Sequence, residues 1–232
     1  MPSPPPMPDI QIVVFDFNGT IVDTVRSTQQ VLEQLQLQFQ DTTGSDRTFP
    51  YLDRVPFPEP SFLQTTHLYP HQIPQIIHKI KQDLTKKTEK LISNPDIGYV
   101  VRELAGTELS LGVLTSAPAS NVLHFINQQE FGECLDFLYS RVPIWGKPKV
   151  LSALLKNASL PGESLLYVTS DITNIKAVGA SQVQIAAGTW GFSKRAELET
   201  YHPTYIIDSP KEVLPIIGQP VGNQEVDGEM EK

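Results

Sequence analysis

The run Ile12-Val13-Val14-Phe15-Asp16-Phe17-Asn18-Gly19-Thr20 constrains this chain more than any other segment. Four successive apolar residues, closed by a carboxylate and a turn, fit a strand buried on both faces, the form that strands take in parallel sheets. Asp16 then stands at the carboxyl end of that strand, where open α/β sheets bind their ligands. Gly19 lets the backbone turn back close to a ligand, and the Thr20 hydroxyl can fix the turn or hold an anion. A carboxylate so placed serves as a nucleophile, a metal ligand, or both.

Further strands are expected at Leu111 to Thr115, Phe137 to Ser140, Leu165 to Thr169, Val183 to Ala187 and Tyr205 to Asp208. Helical apolar spacing at 151–155 and 175–178 lies between them. Strands alternating with helices imply a doubly wound parallel sheet with helices on both faces. The interval from Val25 to Asn94 differs. Val31, Leu32, Leu35 and Phe39 share one helical face, and a Pro-rich connection follows through Pro50, Pro56, Pro58 and Pro60. A long helix is expected from Gln72 to Ser93, with Pro74 in its first turn and an Ile/Leu stripe. The pattern fades after Ile217, and residues 218–232 read as an acidic disordered tail.

The 232 residues suffice for one core and a small accessory domain. The net charge of -8 is partly that of the tail, where Glu225, Asp227, Glu229 and Glu231 face Lys232. An acidic chain without a basic stripe argues against nucleic acid or an anionic membrane as partner. Cys134 is the only cysteine, which excludes an intrachain disulfide and suits a reducing compartment. No apolar run approaches the ~18 residues of a membrane span. The Pro-rich start, residues 1–9, lacks the basic and apolar regions of a signal peptide. A cytoplasmic protein is expected.

The string Asp16-Phe17-Asn18-Gly19-Thr20, continued by Ile21-Val22-Asp23-Thr24, resembles the first motif of the haloacid dehalogenase superfamily, Asp-x-Asp-Gly-Thr, in its phosphoglycolate-phosphatase-like branch. Leu111-Gly112-Val113-Leu114-Thr115-Ser116 resembles the second motif, and Trp145-Gly146-Lys147-Pro148 the third. Ala187 to Phe192 and His202 to Ser209 resemble the closing segments of the branch. The likeness implies a Rossmann-like core over 10–24 and 95–217, with a mainly helical cap over 25–94. It implies Asp16 as nucleophile, and Gly19, Thr20, Thr115, Ser116 and Lys147 around a phosphoryl group. It also implies a magnesium ion and a small phosphorylated metabolite as substrate. Arg26, Arg47, Arg54, His67, His71 and Lys79 are the cap residues available to meet that substrate.

Two motifs depart from the family pattern. Asn18 replaces the acid that protonates the leaving alcohol and activates water, leaving its backbone carbonyl as a metal contact. The fourth motif, Gly-Asp-x-x-x-Asp after a strand, reads Thr169-Ser170-Asp171-Ile172-Thr173-Asn174. Ser170 and Asn174 stand where acids are expected, and Asp171 falls one position late. Asp171 is either a displaced metal ligand or the cap of the next helix. The magnesium site of Asp16, Asn18, Ser170 and Asp171 is thereby weakened. Three readings follow: a phosphatase-type hydrolase of reduced activity, an inactive relative that binds a metabolite or a protein partner, and a metal-independent hydrolase resembling the 2-haloacid dehalogenases. A generic nucleotide-binding domain ranks below them, because no Gly-x-Gly-x-x-Gly or phosphate-loop string is present.

Overall fold

The computed structural model describes residues 9–24, 91–191 and 193–219. The expected cap up to Lys90, with Arg26, Arg47, Arg54, His67, His71 and Lys79, lies outside these described residues. So do residues 1–8 of the Pro-rich start and the acidic tail beyond Gln219.

The described chain runs β1 (Ile12–Phe15), α1 (Ile97–Ala105), β2 (Ser110–Leu114), α2 (Ala119–Gln128), β3 (Phe137–Tyr139), α3 (Lys147–Ala158), β4 (Leu165–Thr169), α4 (Ile172–Val178), β5 (Gln184–Gly188), α5 (Arg195–Glu199), β6 (Tyr205–Ile207) and α6 (Val213–Ile216). The sheet order is β3-β2-β1-β4-β5-β6, and every pair is parallel. This is the doubly wound α/β architecture that the alternation of strands and helices predicts. The chain passes from β1 to β2 and β3 on one side, then crosses to β4, β5 and β6 on the other. β1 is therefore where the winding reverses, and a crevice opens at its carboxyl end.

The period of two along each strand divides the core into two layers. Val13, Phe15, Leu111, Val113, Leu166 and Val168 face one side, where α1, α2 and α6 pack. Ile12, Val14, Leu165, Tyr167 and Ile185 face the other, with Leu151 and Leu155 of α3 and Ile175 and Val178 of α4. In α1, Ile97, Val100, Val101 and Leu104 recur at helical spacing and are all fully buried. Each such side chain contributes roughly 1.5–3 kcal/mol relative to exposure.

Residues 91–94 are tied to the turn after β1. Ser93 pairs with Val22, and the Asn94 amide donates to the Ile21 carbonyl at 2.9 Å. These last residues of the expected cap interval thus return beside the segment preceding it. Leu91 to Ser93 are extended rather than the end of the helix expected from Gln72, because Ser93 pairs with Val22.

Candidate active site

The turn after β1 is held from three directions. The Asp16 amide donates to the Val168 carbonyl at 2.9 Å, carrying the β1–β4 pairing one residue beyond the strand. The Phe17 carbonyl accepts from the Ile21 and Val22 amides. Gly19 sits at φ 74°, the left-handed region that a side chain disfavours. The Asn94 side chain donates to the carbonyls of Gly19 (3.0 Å) and Thr20 (2.9 Å), and the Trp190 indole donates to the latter at 3.2 Å. Asn18 lies half-buried on this turn and forms a bridge with Val22.

Asp16 is buried beneath the carboxyl ends of the strands, as is Lys147, the first residue of α3. The Lys147 ammonium donates to Asp16 Oδ1 at 2.7 Å, to Asn174 Oδ1 at 2.8 Å and to the Tyr167 hydroxyl at 3.1 Å. Its three protons therefore meet three acceptors. A buried ammonium needs this, because charge out of water is costly unless paired and hydrogen-bonded. The Asn174 amide donates to Asp16 Oδ2 at 2.9 Å and to the Thr169 hydroxyl at 3.1 Å. Both carboxylate oxygens thus carry a donor, one cationic and one neutral. Burial, and next the nearby Asp16 charge, push the Tyr167 hydroxyl well above its ordinary pKa, so it stays protonated.

The neighbouring segment is turned elsewhere. The Ser170 hydroxyl lies 3.1 Å from that of Thr20, which also accepts from the Ser170 amide at 3.0 Å. Gly191 lies close against this contact, since a Cβ there would fall 1.9 Å from Ser170 Oγ and 2.8 Å from the Gly19 carbonyl. Asp171 caps α4: its Oδ1 accepts from the Thr173 amide at 2.8 Å and from the Thr173 hydroxyl at 2.7 Å. Burial raises its carboxyl to about 6 against these hydrogen bonds. Ser193 satisfies the Ile172 amide at 3.0 Å.

Thr115 follows β2, one strand over from Asp16, and is fully buried. Its hydroxyl oxygen accepts from the Ala117 amide at 3.0 Å, which leaves its proton to donate. Ser116 opens the bend that follows it.

The residues present do not make a good magnesium shell. That ion takes octahedral oxygens with carboxylates among them and dehydrates reluctantly. Here Asp16 already holds Lys147 and Asn174, Ser170 is bonded to Thr20, and Asp171 is engaged at the end of α4. Among the described residues, no three His, Cys, Asp or Glu side chains gather as a metal would require.

The structure therefore brings Asp16 and Lys147 into contact, and separately Thr20 and Ser170. It adds Tyr167, Thr169, Asn94 and Trp190, which sequence reading leaves out of the site. The one signal for Tyr167 is its hydroxyl in the middle of an otherwise apolar run, Leu165 to Val168.

A sequence profile described as haloacid dehalogenase-like hydrolase matches residues 13–187. A phosphoglycolate phosphatase from Synechococcus elongatus is 22% identical over 210 residues, covering 90% of this chain and 98% of the relative. A pyrophosphatase PpaX from Bacillus cereus is 24% identical over 214 residues, covering 90% and 96%. Among solved structures, a haloacid dehalogenase-like hydrolase from Streptococcus pneumoniae superimposes with a TM-score of 0.66 at 21% identity, covering 89% of this chain and 98% of that one. Among the described residues no helix is long and apolar enough to cross a membrane.

Proposed function

This chain belongs to the haloacid dehalogenase-like hydrolase family, and we propose that it is a phosphatase-type member acting slowly on a small phosphomonoester through Asp16. One observation carries this reading: a buried carboxylate at the carboxyl end of the central strand, 2.7 Å from the ammonium of Lys147. Similarity to proteins named phosphoglycolate phosphatase and pyrophosphatase supports a small phosphate-bearing substrate.

In this reading an Asp16 oxygen attacks phosphorus, the bond to the leaving alkoxide breaks and the alkoxide takes its proton from solvent water. A second water then hydrolyses the aspartyl phosphate to free Asp16 and phosphate. Lys147 offsets the charge on the attacked group, and the free Thr115 proton donates to a phosphoryl oxygen. Asn18 cannot protonate the leaving alcohol or activate water, which lowers the rate by about 10² to 10⁴. Residues 25–90, as a helical cap, would select the substrate. The magnesium that family members generally use has a poor shell here, and no step is assigned to it.

A second reading is favoured by the Asn174 contact on Asp16 Oδ2. If that clamp persists when ligand binds, the protein is a metabolite-binding or regulatory member without turnover.

The experiment is phosphate release from a panel of small phosphomonoesters, with and without magnesium, comparing wild type with Asp16→Asn. The isosteric amide keeps an acceptor for Lys147 and removes the nucleophile. Release lost in Asp16→Asn supports the phosphatase reading, and restoring Asn18→Asp with Ser170→Asp is expected to raise it in magnesium. Equal release from both proteins, together with an inert restored variant that remains folded, would leave the binding reading.

A further inference from the structure

We propose that Asn174 does at this site what a divalent cation does in acid-complete relatives, so that the site is built to work without one. It concerns the same pocket as the phosphatase reading but is read out by metal occupancy, so the two fail separately.

A cation bound to a buried carboxylate neutralises it and fixes its orientation. Here both tasks are already done by protein groups. Lys147 supplies the neutralising charge on Oδ1, and the Asn174 amide fixes Oδ2 at 2.9 Å. The other end of the same amide accepts from Lys147 at 2.8 Å, so Asn174 spans the ion pair and locks the two charges together. Its remaining proton reaches Thr169, and the side chain is buried. The cluster of Asp16, Lys147, Asn174 and Tyr167 is closed and has no net charge when the tyrosine is protonated.

Adding a dication to that cluster would place uncompensated positive charge in a buried setting, which is strongly unfavourable. The residues that could compensate it are neutral or engaged. Ser170 is fully buried and bonded to Thr20, in a space closed by Gly191. Asp171 spends its Oδ1 on Thr173. Carboxylates at 170 and 174 would reverse the balance, putting three acids around one lysine and creating a demand for a cation. The two neutral residues thus act together with Lys147 as a metal-free replacement.

The test is a Mn²⁺ titration followed by electron paramagnetic resonance, on the full chain. Wild type is expected to leave the free-ion signal unchanged to millimolar concentrations, and its melting temperature should not move with Mg²⁺. Ser170→Asp with Asn174→Asp should bind one Mn²⁺ at least about tenfold more tightly. That variant should also melt lower than wild type in EDTA and recover with Mg²⁺. Wild-type binding that disappears in Asp16→Asn would overturn the proposal. Binding that survives Asp16→Asn lies elsewhere on the chain and upholds it. A doubly substituted protein that is folded yet gains no metal would also overturn it. If that variant does not fold, the wild-type and Asp16→Asn titrations decide alone. Phosphate release that persists in EDTA would agree with both readings. No release from any substrate would count against turnover and leave the metal result standing.

Discussion

Two ion pairs of nearly equal length sit in very different surroundings. Lys147 and Asp16 meet at 2.7 Å beneath the carboxyl end of β1, and both are buried. Arg195 and Asp208 meet at 2.6 Å on the surface, with side chains 47% and 64% exposed. Distance alone would rank them together. Surroundings separate them: the buried pair has water replaced by Asn174 and Tyr167, whereas the outer pair keeps water as a competitor. A buried pair adds little net stability relative to an apolar replacement, yet breaking one is expensive, because it strands a charge. An exposed pair strands nothing, since water takes the released charge.

The largest effect should come from breaking the inner pair on one side. Lys147→Met removes the cation and leaves the Asp16 carboxylate with only the Asn174 amide. Loss of about 3–5 kcal/mol is expected, read from the urea midpoint at pH 7 at unchanged slope. A cost below about 1 kcal/mol would place the pair in the same class as the surface one. It would also mean that water reaches Asp16 freely.

A third carboxylate sharpens the contrast. Asp171 is held by Thr173, and burial raises its carboxyl from 3.8 to about 6 against those hydrogen bonds and the more distant Lys147 charge. Asp208 shifts the other way, lowered by the Thr189 hydroxyl and then by Arg195. The signs give opposite pH behaviour. Between pH 3.8 and about 6 the folded protein keeps a proton on Asp171 that the unfolded chain has released. The Asp171 contribution therefore falls as pH rises through that window, and stays low above it. The Asp208 contribution is present above the ordinary carboxylate pKa and fades as pH falls through its lowered value. Asp171→Asn keeps a cap for α4 without the charge. Relative to wild type it should gain about 1–3 kcal/mol between pH 4 and 7.5, at about 1.4 kcal/mol for each unit of pKa separation. Denaturation of both proteins at the two pH values measures it. A difference that does not change with pH would mean that Asp171 titrates as an ordinary exposed acid.

These contrasts also show which features the sequence could reveal. The six strands are legible to about one residue because each is an apolar run ended by a turn, as with Leu165–Thr169. Asp16 and Lys147 are legible from short motifs at the ends of such runs. Helix α1 is harder to anticipate. Its apolar spacing is plain, but Asp96 before it is left-handed and makes no side-chain cap, so the usual start signal is missing. Asn94 falls at the end of the expected cap, and its bond to Thr20 spans 74 positions that no local pattern connects. Asn174 is the most instructive residue. Sequence reading sees an acid lost; the fold shows an amide gained, because β1, α3 and α4 converge there. A substitution judged by what is absent from a motif hides what the new group contacts.

The smallest effect expected is also the other half of the comparison. Arg195→Ala removes the guanidinium from Asp208, whose carboxylate keeps the Thr189 hydroxyl at 2.7 Å. Asp208 stays solvated, so no charge is stranded and no buried group loses its partner. Arg195 also reaches Glu199, only at 3.9 Å and with both side chains exposed. The denaturation midpoint should therefore match wild type at physiological ionic strength. Any small difference at low salt should shrink as salt rises, since exposed charges are screened. Lys147→Met should keep its deficit at both salt concentrations, because the stranded carboxylate lies where mobile ions do not reach. An Arg195→Ala cost that approaches that of Lys147→Met and survives high salt would show that geometry outweighs surroundings in this protein. The same result would withdraw the argument from burial on which the inner site rests.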